Sequence, residues 1–155
     1  MSDKDWYYKV TNNWNELPSF IEYFTNEAYN ARSEIVLKGR LEENSKNIPV
    51  HTERRFTQLQ IVNALVRYFE IELDKERSVL YKKYMEGYAK SLSSKDATMY
   101  IDGEETIVNL NRLINEICLV RNIFTGIIKG LDNKSYQLNN ISKLRSVGLE
   151  SSTVD

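Results

Sequence analysis

The amino-acid sequence predicts an all-α protein built on a long antiparallel helical hairpin with shorter N-terminal helices. The segment from Thr52 to Leu92 holds no proline, and no glycine before Gly87. Its apolar residues recur every three or four positions, as they do on one face of a helix. A second stripe with this spacing follows a break at Asp102-Gly103. A hairpin has little interior of its own, so we expect it to oligomerise through its helical seams.

The two stripes define the predicted arms of the hairpin. The first contains Phe56, Leu59, Val62, Val66, Phe69, Leu73, Leu80 and Tyr84, and the second contains Ile107, Leu110, Ile114, Ile117, Phe124, Ile128 and Leu131.

We predict a single domain with three parts. Residues 1–50 form an N-terminal arm and short helices, residues 51–148 form the hairpin for binding and assembly, and residues 149–155 form a disordered tail. The chain has 155 residues, 41% of them hydrophobic and 28% charged, which is typical of a folded soluble protein. Cys118 is the single cysteine and no apolar leader follows a basic N-terminus. We therefore expect a cytoplasmic protein.

The elements before the hairpin are short. We expect Trp6-Tyr7-Tyr8 to lie in an arm or a short strand, because this aromatic run is too brief to indicate a helix. Apolar spacing predicts a helix from Asn15 to about Tyr29. Another short helix is predicted from Arg32 to Leu41 and ends before Ile48-Pro49, because a residue that precedes proline avoids helical angles. The long helix then begins near Thr52.

The second half contains three weaker signals. Residues Thr98 to Ile101 are ambiguous between helix and loop. Gly126 and Gly130 weaken the second long helix locally. We expect a kink or break at residues 131–134, before a last helix over Ser135 to Val147.

Charged residues are unevenly distributed although the net charge is −1. Two basic stretches flank an acidic one. The first basic stretch contains Arg77, Lys82, Lys83, Lys90 and Lys95, the acidic one contains Asp102, Glu104, Glu105 and Glu116, and the second basic one contains Lys129, Lys134, Lys143 and Arg145.

Catalytic chemistry has little support in the sequence. His51 is the only histidine, and at a predicted helix start it fits a capping or surface role better than a general base. Cys118 fits a small buried hydrophobic residue better than a nucleophile. Phosphate-binding glycine motifs are absent from the sequence. We predict a non-enzymatic protein with no cofactor and no metal site.

A cluster of lysines and tyrosines predicts binding chemistry instead. Tyr81, Tyr84 and Tyr88 share one face of the first long helix, among Lys82 and Lys83. Cations that contact phosphates and flat rings that stack on unpaired bases are what single-stranded nucleic acid requires. The alternative is that the tyrosines continue the apolar stripe while the lysines keep the outer surface soluble. The predicted nucleic-acid-binding residues are Arg77, Lys82, Lys83, Tyr84, Tyr88 and Lys90.

The same cluster begins a set of short motifs. They run from Tyr81-Lys82-Lys83-Tyr84 through Tyr100-Ile101-Asp102 to a basic segment, Lys134-Ser135-Tyr136-Gln137-Leu138-Asn139-Asn140-Ile141. With these motifs, residues 75 to 148 resemble the UvsY-like recombination mediator family of T-even-type phages. At residues 87–90 this chain has Gly-Tyr-Ala-Lys, where the family has a turn like Tyr-Tyr-Ser-Gly.

The resemblance implies a homo-oligomeric protein that binds single-stranded DNA and, if it is phage-encoded, lies in the host cell cytoplasm. It further implies help in loading a RecA-type recombinase onto DNA coated with single-strand DNA-binding protein. Lys82 and Lys83 match the family's basic DNA-contacting stretch, and the C-terminal helix matches its oligomerisation region. The oligomerisation residues predicted on this basis are Ile117, Phe124, Ile128, Leu131, Leu138 and Ile141.

Two other functions remain open from the sequence. The first is a phage structural or adaptor protein that assembles through helical hairpins, with the tyrosines packed in the seam. The second is a transcription or replication accessory factor that docks on a larger enzyme through an amphipathic helix.

Overall fold

The protein is helical throughout the described residues, 3–87 and 92–149, of a computed structural model. These residues form five α-helices and contain no β-strand, so the predicted all-α class is confirmed. The helices are α1 (Asp3–Asn12), α2 (Leu17–Ile35), α3 (Leu41–Gly87), α4 (Ser94–Asp102) and α5 (Glu105–Ser146), and a single 3-10 turn, Trp14–Glu16, lies between α1 and α2. None of the helices in these residues is long and apolar enough to cross a membrane.

The N-terminal aromatic run lies in a helix, so the expected arm or strand is wrong. Trp6 and Val10 are both buried, one helical turn apart. Asp3 and Asp5 in the first turn of α1 interact favourably with the positive N-terminal end of the helix dipole. Burial of this i, i+4 pair outweighs the weak local signal of a short aromatic segment.

The long helix α3 begins at Leu41 and passes through Pro49 without ending. The expected start near Thr52 and the separate helix from Arg32 to Leu41 are therefore wrong. Proline removes only one helical hydrogen bond, the one to the carbonyl of Ser45. Both Ser45 and Pro49 are exposed, so this part of the helix is accessible to water and the lost hydrogen bond does not end the helix.

The second long helix, α5, is also continuous. The predicted break at residues 131–134 is wrong, because α5 extends from Glu105 to Ser146. The ambiguous segment from Thr98 to Ile101 lies in α4, whose N-terminus is capped by Ser93. The Ser93 side chain accepts a hydrogen bond from the backbone N–H of Asp96 at 3.2 Å.

The chain divides into two compact units. The first unit comprises Met1–Leu17 and Ile61–Leu119, and the second comprises Pro18–Gln60 and Val120–Asp155. The boundary predicted between residues 50 and 51 falls inside α3, and most of the predicted tail, residues 150–155, lies outside the described residues.

The first unit has an apolar core near the connection of α3 to α5. Leu80, Ile101 and Ile107 are buried together, and Leu73 and Tyr84 pack against them. Within this unit α3 leads into α4, and α5 leads away from it, as expected for a hairpin. A further set of buried apolar residues comprises Val62, Leu65, Val66 and Phe69 of α3 with Leu110 and Ile117 of α5.

The second unit has an aromatic core and a close approach of α2 to α5. The rings of Phe24 and Phe124 are edge to face, with centroids 6.1 Å apart. Gly130 lies so near Ile35 that a β-carbon on it would be 2.7 Å from the Ile35 Cγ2. This glycine therefore allows α2 and α5 to pack closely.

The inward face of α3 in the second unit is polar. Phe56, a member of the predicted stripe, is exposed, whereas Arg55 and Gln58 are buried. Arg55 Nη1 donates to Glu27 Oε2 at 2.8 Å, and its Nη2 donates to Glu34 Oε1. Gln58 Nε2 also donates to Glu27 Oε2, at 2.9 Å. The buried charges are thus paired and hydrogen-bonded, as burial requires.

Candidate nucleic-acid interface

The predicted lysine and tyrosine cluster lies in the first unit, on the last turns of α3. Lys82 and Lys83 are both exposed, and within residues 3–87 and 92–149 neither forms an ion pair. Two adjacent helical residues point about 100° apart. The two ammonium groups therefore present positive charge over a broad part of the α3 surface.

A shallow groove of about 420 Å³ lies beside these lysines. It is lined by Tyr81 and Lys82 of α3 and by Thr98 of α4, together with Arg77, Ser78 and Ile101. The Tyr81 side chain is 39% exposed, and its hydroxyl donates to Ser94 Oγ at 3.3 Å. The groove thus combines an apolar floor, a ring, hydroxyl groups and cations.

Arg77 is positioned by an acidic partner. Its Nη2 donates to Asp102 Oδ1 at 2.7 Å, which links α3 to the last residue of α4. Its buried Nε forms no hydrogen bond with any described residue. Because Asp102 offsets its charge, Arg77 contributes less to a positive surface than Lys82 or Lys83 does.

The Tyr84 side chain is half-buried and contacts several other residues. Its hydroxyl donates to Glu104 Oε1, and its side chain packs against the cluster of Leu80, Ile101 and Ile107. Its ring stacks on Tyr100 of α4, with centroids 5.9 Å apart and an angle of 12° between the planes. Direct DNA contact by Tyr84 stays a prediction, and little of this ring remains open.

Two predicted binding residues, Tyr88 and Lys90, lie outside the described residues. The structure therefore brings together Arg77, Lys82, Lys83 and Tyr84 from the predicted set.

The predicted oligomerisation residues are largely buried within the single chain. Ile117, Phe124, Leu131 and Leu138 are buried, whereas Ile128 and Ile141 are half-buried. Burial of the first four requires no partner chain. Assembly through this helix stays a prediction, and its two half-buried members are the ones open to an additional contact.

Thr98 and Tyr100 also lie near this surface, although neither is among the binding residues predicted from the sequence. Both lie on α4, which was ambiguous between helix and loop. Once α4 is recognised from its Ser93 cap and Asp96, helical spacing places Ala97 and Ile101 on its buried face. The neighbouring positions 98 and 100 then flank that face, which is the signal that points to them.

Residues with catalytic or metal-binding potential are either separated from one another or in contact with other side chains. His51 Nδ1 lies 3.4 Å from Glu34 Oε1 in the second unit, and Cys118 is half-buried. In the part of the chain that the structure describes, no three histidine, cysteine or acidic residues are grouped so as to hold a metal ion. Comparison with known proteins adds no assignment: no protein-family model, curated protein or solved structure matches this chain.

Proposed function

We propose that this protein is a single-stranded DNA-binding recombination mediator that helps load a RecA-type recombinase onto DNA coated with single-strand DNA-binding protein. One observation carries the DNA-binding part. Lys82 and Lys83 are exposed and form no ion pair with any described residue, and Lys82 lines a groove together with Tyr81. The mediator role and its protein partners rest on the resemblance of residues 75 to 148 to the UvsY-like family.

The mechanism uses many weak contacts in place of one strong site. A single protomer offers the two exposed lysines Lys82 and Lys83 at this surface, which is a small phosphate-binding area. In a homo-oligomer each copy adds its own contacts to the same strand, so the overall affinity rises steeply with copy number. This arrangement reconciles DNA binding with a net charge of −1.

The test is fluorescence anisotropy of a labelled oligonucleotide, single-stranded and duplex, at several salt concentrations. We expect preference for the single strand and strong weakening by salt. The variant Lys82→Ala/Lys83→Ala should reduce the affinity, and should flatten the slope of log K against log salt by about 1.4 per protomer, or about 0.7 for each lost phosphate contact.

A matched control is available on the same helix. Arg67 and Lys75 are exposed cations of α3, paired with Glu70 and Glu72. Arg67→Ala/Lys75→Ala changes the net charge by the same amount, and it should leave the salt slope close to that of the parent. If both double variants behave alike, the effect is one of net charge and the proposed site is wrong.

Mediation requires a second assay, because DNA binding alone does not load a recombinase. The single-stranded-DNA-dependent ATPase activity of a RecA-type recombinase is measured on DNA coated with single-strand DNA-binding protein. We expect addition of this protein to shorten the lag, and Lys82→Ala/Lys83→Ala to shorten it less. An unchanged lag, despite tight DNA binding, would rule out the mediator role.

A second candidate function is that of an adaptor that docks on another protein, such as a phage structural protein or a replication or transcription enzyme. The observation that favours it is a groove of about 420 Å³ in the first unit, in which Trp14, Val79, Leu110 and Leu113 form an apolar part beside polar residues, among them Glu72, Lys75 and Glu76. Val79 is 61% exposed there, and such a site suits an apolar anchor. Absence of DNA binding at low salt would favour this function.

A further inference from the structure

The paired rings of Tyr84 and Tyr100 form an ordered platform at the end of the hairpin. The two planes are nearly parallel, at 12°, and the centroids are 5.9 Å apart, which is an offset stack. Tyr100 is 54% exposed. More than half of Tyr100 is therefore accessible to solvent beside a ring that lies nearly parallel to it.

Several contacts hold this platform in place. Tyr84 is fixed by its hydrogen bond to Glu104 and by the apolar cluster beneath it. The helix that carries Tyr100 is capped at its N-terminus by Ser93, and Arg77 binds Asp102 at its C-terminal end. Tyr100 is thus an exposed ring on a helix anchored at both ends.

Tyr84 of this platform and the two exposed lysines, Lys82 and Lys83, share the last turns of α3. Tyr84 follows Lys83 directly in the sequence, so Lys82, Lys83 and Tyr84 lie on one turn of α3, and the Lys83 and Tyr84 side chains are about 100° apart around the helix. A strand whose phosphates contact these ammonium groups has bases within reach of a ring nearby.

We propose that the exposed ring of Tyr100 is a stacking site for one unpaired base of a bound single strand, and that Tyr84 is its positioning residue. This inference rests on the proposed DNA-binding function and deepens it. A ring already held in place loses little conformational freedom when a base stacks on it. Stacking accepts any base because every base has a π-face. The lysines supply salt-sensitive affinity, and Tyr100 supplies affinity that depends little on salt.

The test compares Tyr100→Leu with Tyr100→Phe in the full chain. Tyr100→Leu should weaken binding to a single-stranded oligonucleotide on the order of tenfold, with the slope of log K against log salt unchanged. Tyr100→Phe keeps the ring and should bind like the parent. An oligonucleotide of abasic residues should bind the parent and Tyr100→Leu equally, because it has phosphates without bases.

A second measurement does not depend on the variants. Photocrosslinking of an oligonucleotide that contains 5-iodouracil, followed by mass spectrometry of the peptides, should place a crosslink on Tyr100 of the parent protein. Parental affinity in Tyr100→Leu together with no crosslink at Tyr100 would overturn this inference. If Lys82→Ala/Lys83→Ala still reduces binding in that case, the DNA-binding proposal stands. A parent protein that binds no single-stranded DNA would overturn both.

Discussion

Arg55 of α3 donates from Nη2 to Oε1 of Glu34 on α2, and only 3% of its side chain is exposed. The same guanidinium also donates to Glu27, the other glutamate on its side of α2. Hydrogen bonding to Glu34, opposed by burial and aided by Glu27, raises the pKa of Arg55 above its ordinary value. One cation therefore bridges two carboxylates inside the second unit.

Replacing Arg55 with Met should strongly destabilise the protein. The change leaves Glu27 and Glu34 with one cation fewer in a buried setting, and breaking a buried pair typically costs about 3–5 kcal/mol. Arg54 is the matched control, because it also binds Glu27 but its side chain is exposed, and loss of an exposed pair costs at most about 1 kcal/mol. Urea unfolding of Arg55→Met and Arg54→Met measures both. Equal losses would contradict a special role for Arg55.

The stability should decline in acid, in part through Glu27. Burial acts to raise the pKa of Glu27, but hydrogen bonds from Gln58 and Arg55 and the charges of Arg54 and Arg55 outweigh it and hold the pKa below 4.5. The unfolded chain therefore binds this proton at a higher pH than the folded chain does. The contribution to stability is fully present above about pH 4.5 and is lost as the pH falls through the folded pKa.

The measurement is the free energy of unfolding against pH in the parent and in Glu27→Gln. We expect a shallower decline below pH 4.5 in the variant. Glu22→Gln is the control, since Glu22 is an exposed carboxylate on the same helix, and it should retain the parental decline. An unchanged decline in Glu27→Gln would show that other carboxylates govern acid unfolding.

Two glycines of α5 should respond to alanine in opposite directions. A β-carbon on Gly126 meets nothing within 4 Å, so Gly126→Ala should stabilise the helix by about 0.5–1 kcal/mol. A β-carbon on Gly130 would be 2.7 Å from Cγ2 of Ile35. The resulting overpacking, about 1–3 kcal/mol, should exceed the gain in helix propensity.

Thermal and urea unfolding of the two glycine variants give the signs directly. Ile35→Ala removes the opposing methyl groups, so a double-mutant cycle of Gly130→Ala with Ile35→Ala should show a favourable coupling. A Gly130→Ala variant as stable as Gly126→Ala would mean that α2 and α5 shift apart at little cost.

Pro49 should be a destabilising residue in its present place. It lies inside α3, where it lacks the N–H that the carbonyl of Ser45 would accept. Pro49→Ala supplies that donor and relieves the ring's steric conflict, so we expect stabilisation of up to about 3 kcal/mol. Urea unfolding measures the change, and circular dichroism shows whether helix content stays constant. A loss of stability would indicate that the rigid ring supports this part of the helix.

Tyr84 and Glu104 should be coupled energetically. Tyr84→Phe removes the hydroxyl that donates to Glu104, and loss of a hydrogen bond to a charged group costs about 1.5–3 kcal/mol. Once Glu104→Gln has weakened the acceptor, Tyr84→Phe should cost less than it does alone. Chemical unfolding of the two single variants and the double variant gives the coupling. Strictly additive losses would argue against this bond as a stabilising contact.

The periodic stripes made the helical class predictable, because i, i+3 and i, i+4 spacing is set by helix geometry itself. Local rules failed at Pro49 and at Trp6-Tyr7-Tyr8, where continuation of the helix and burial outweighed the local preference. The positions of α3 that face inward in the second unit also differ from those of the predicted first stripe, because they are Arg55 and Gln58. A polar pair at core positions is foreseeable only when its carboxylate partners on another helix are known.

The exposure of the lysines at the candidate site could be predicted from the apolar spacing of α3, but the contacts of Tyr84 could not. Its partners, Tyr100 and Glu104, lie 16 and 20 residues further along the sequence. The side-chain pattern of one helix does not specify which residues of a later segment will cover it. The ring's placement therefore depends on how α4 packs in the first unit, which sequence periodicity leaves undetermined.

The C-terminal end of α2 is completed by a residue far along the chain. Lys134 Nζ donates at 2.8 Å to the backbone carbonyl of Glu34, 100 residues earlier, where a helix end has no donor of its own. At about 5–20 residues per second, a ribosome needs about 5–20 seconds to add those residues. On a nascent chain this carbonyl stays bound to water for that time. Arg55, the partner of the Glu34 carboxylate, is added only 21 residues after Glu34. The side chain and the backbone carbonyl of Glu34 therefore gain their partners at different times during synthesis.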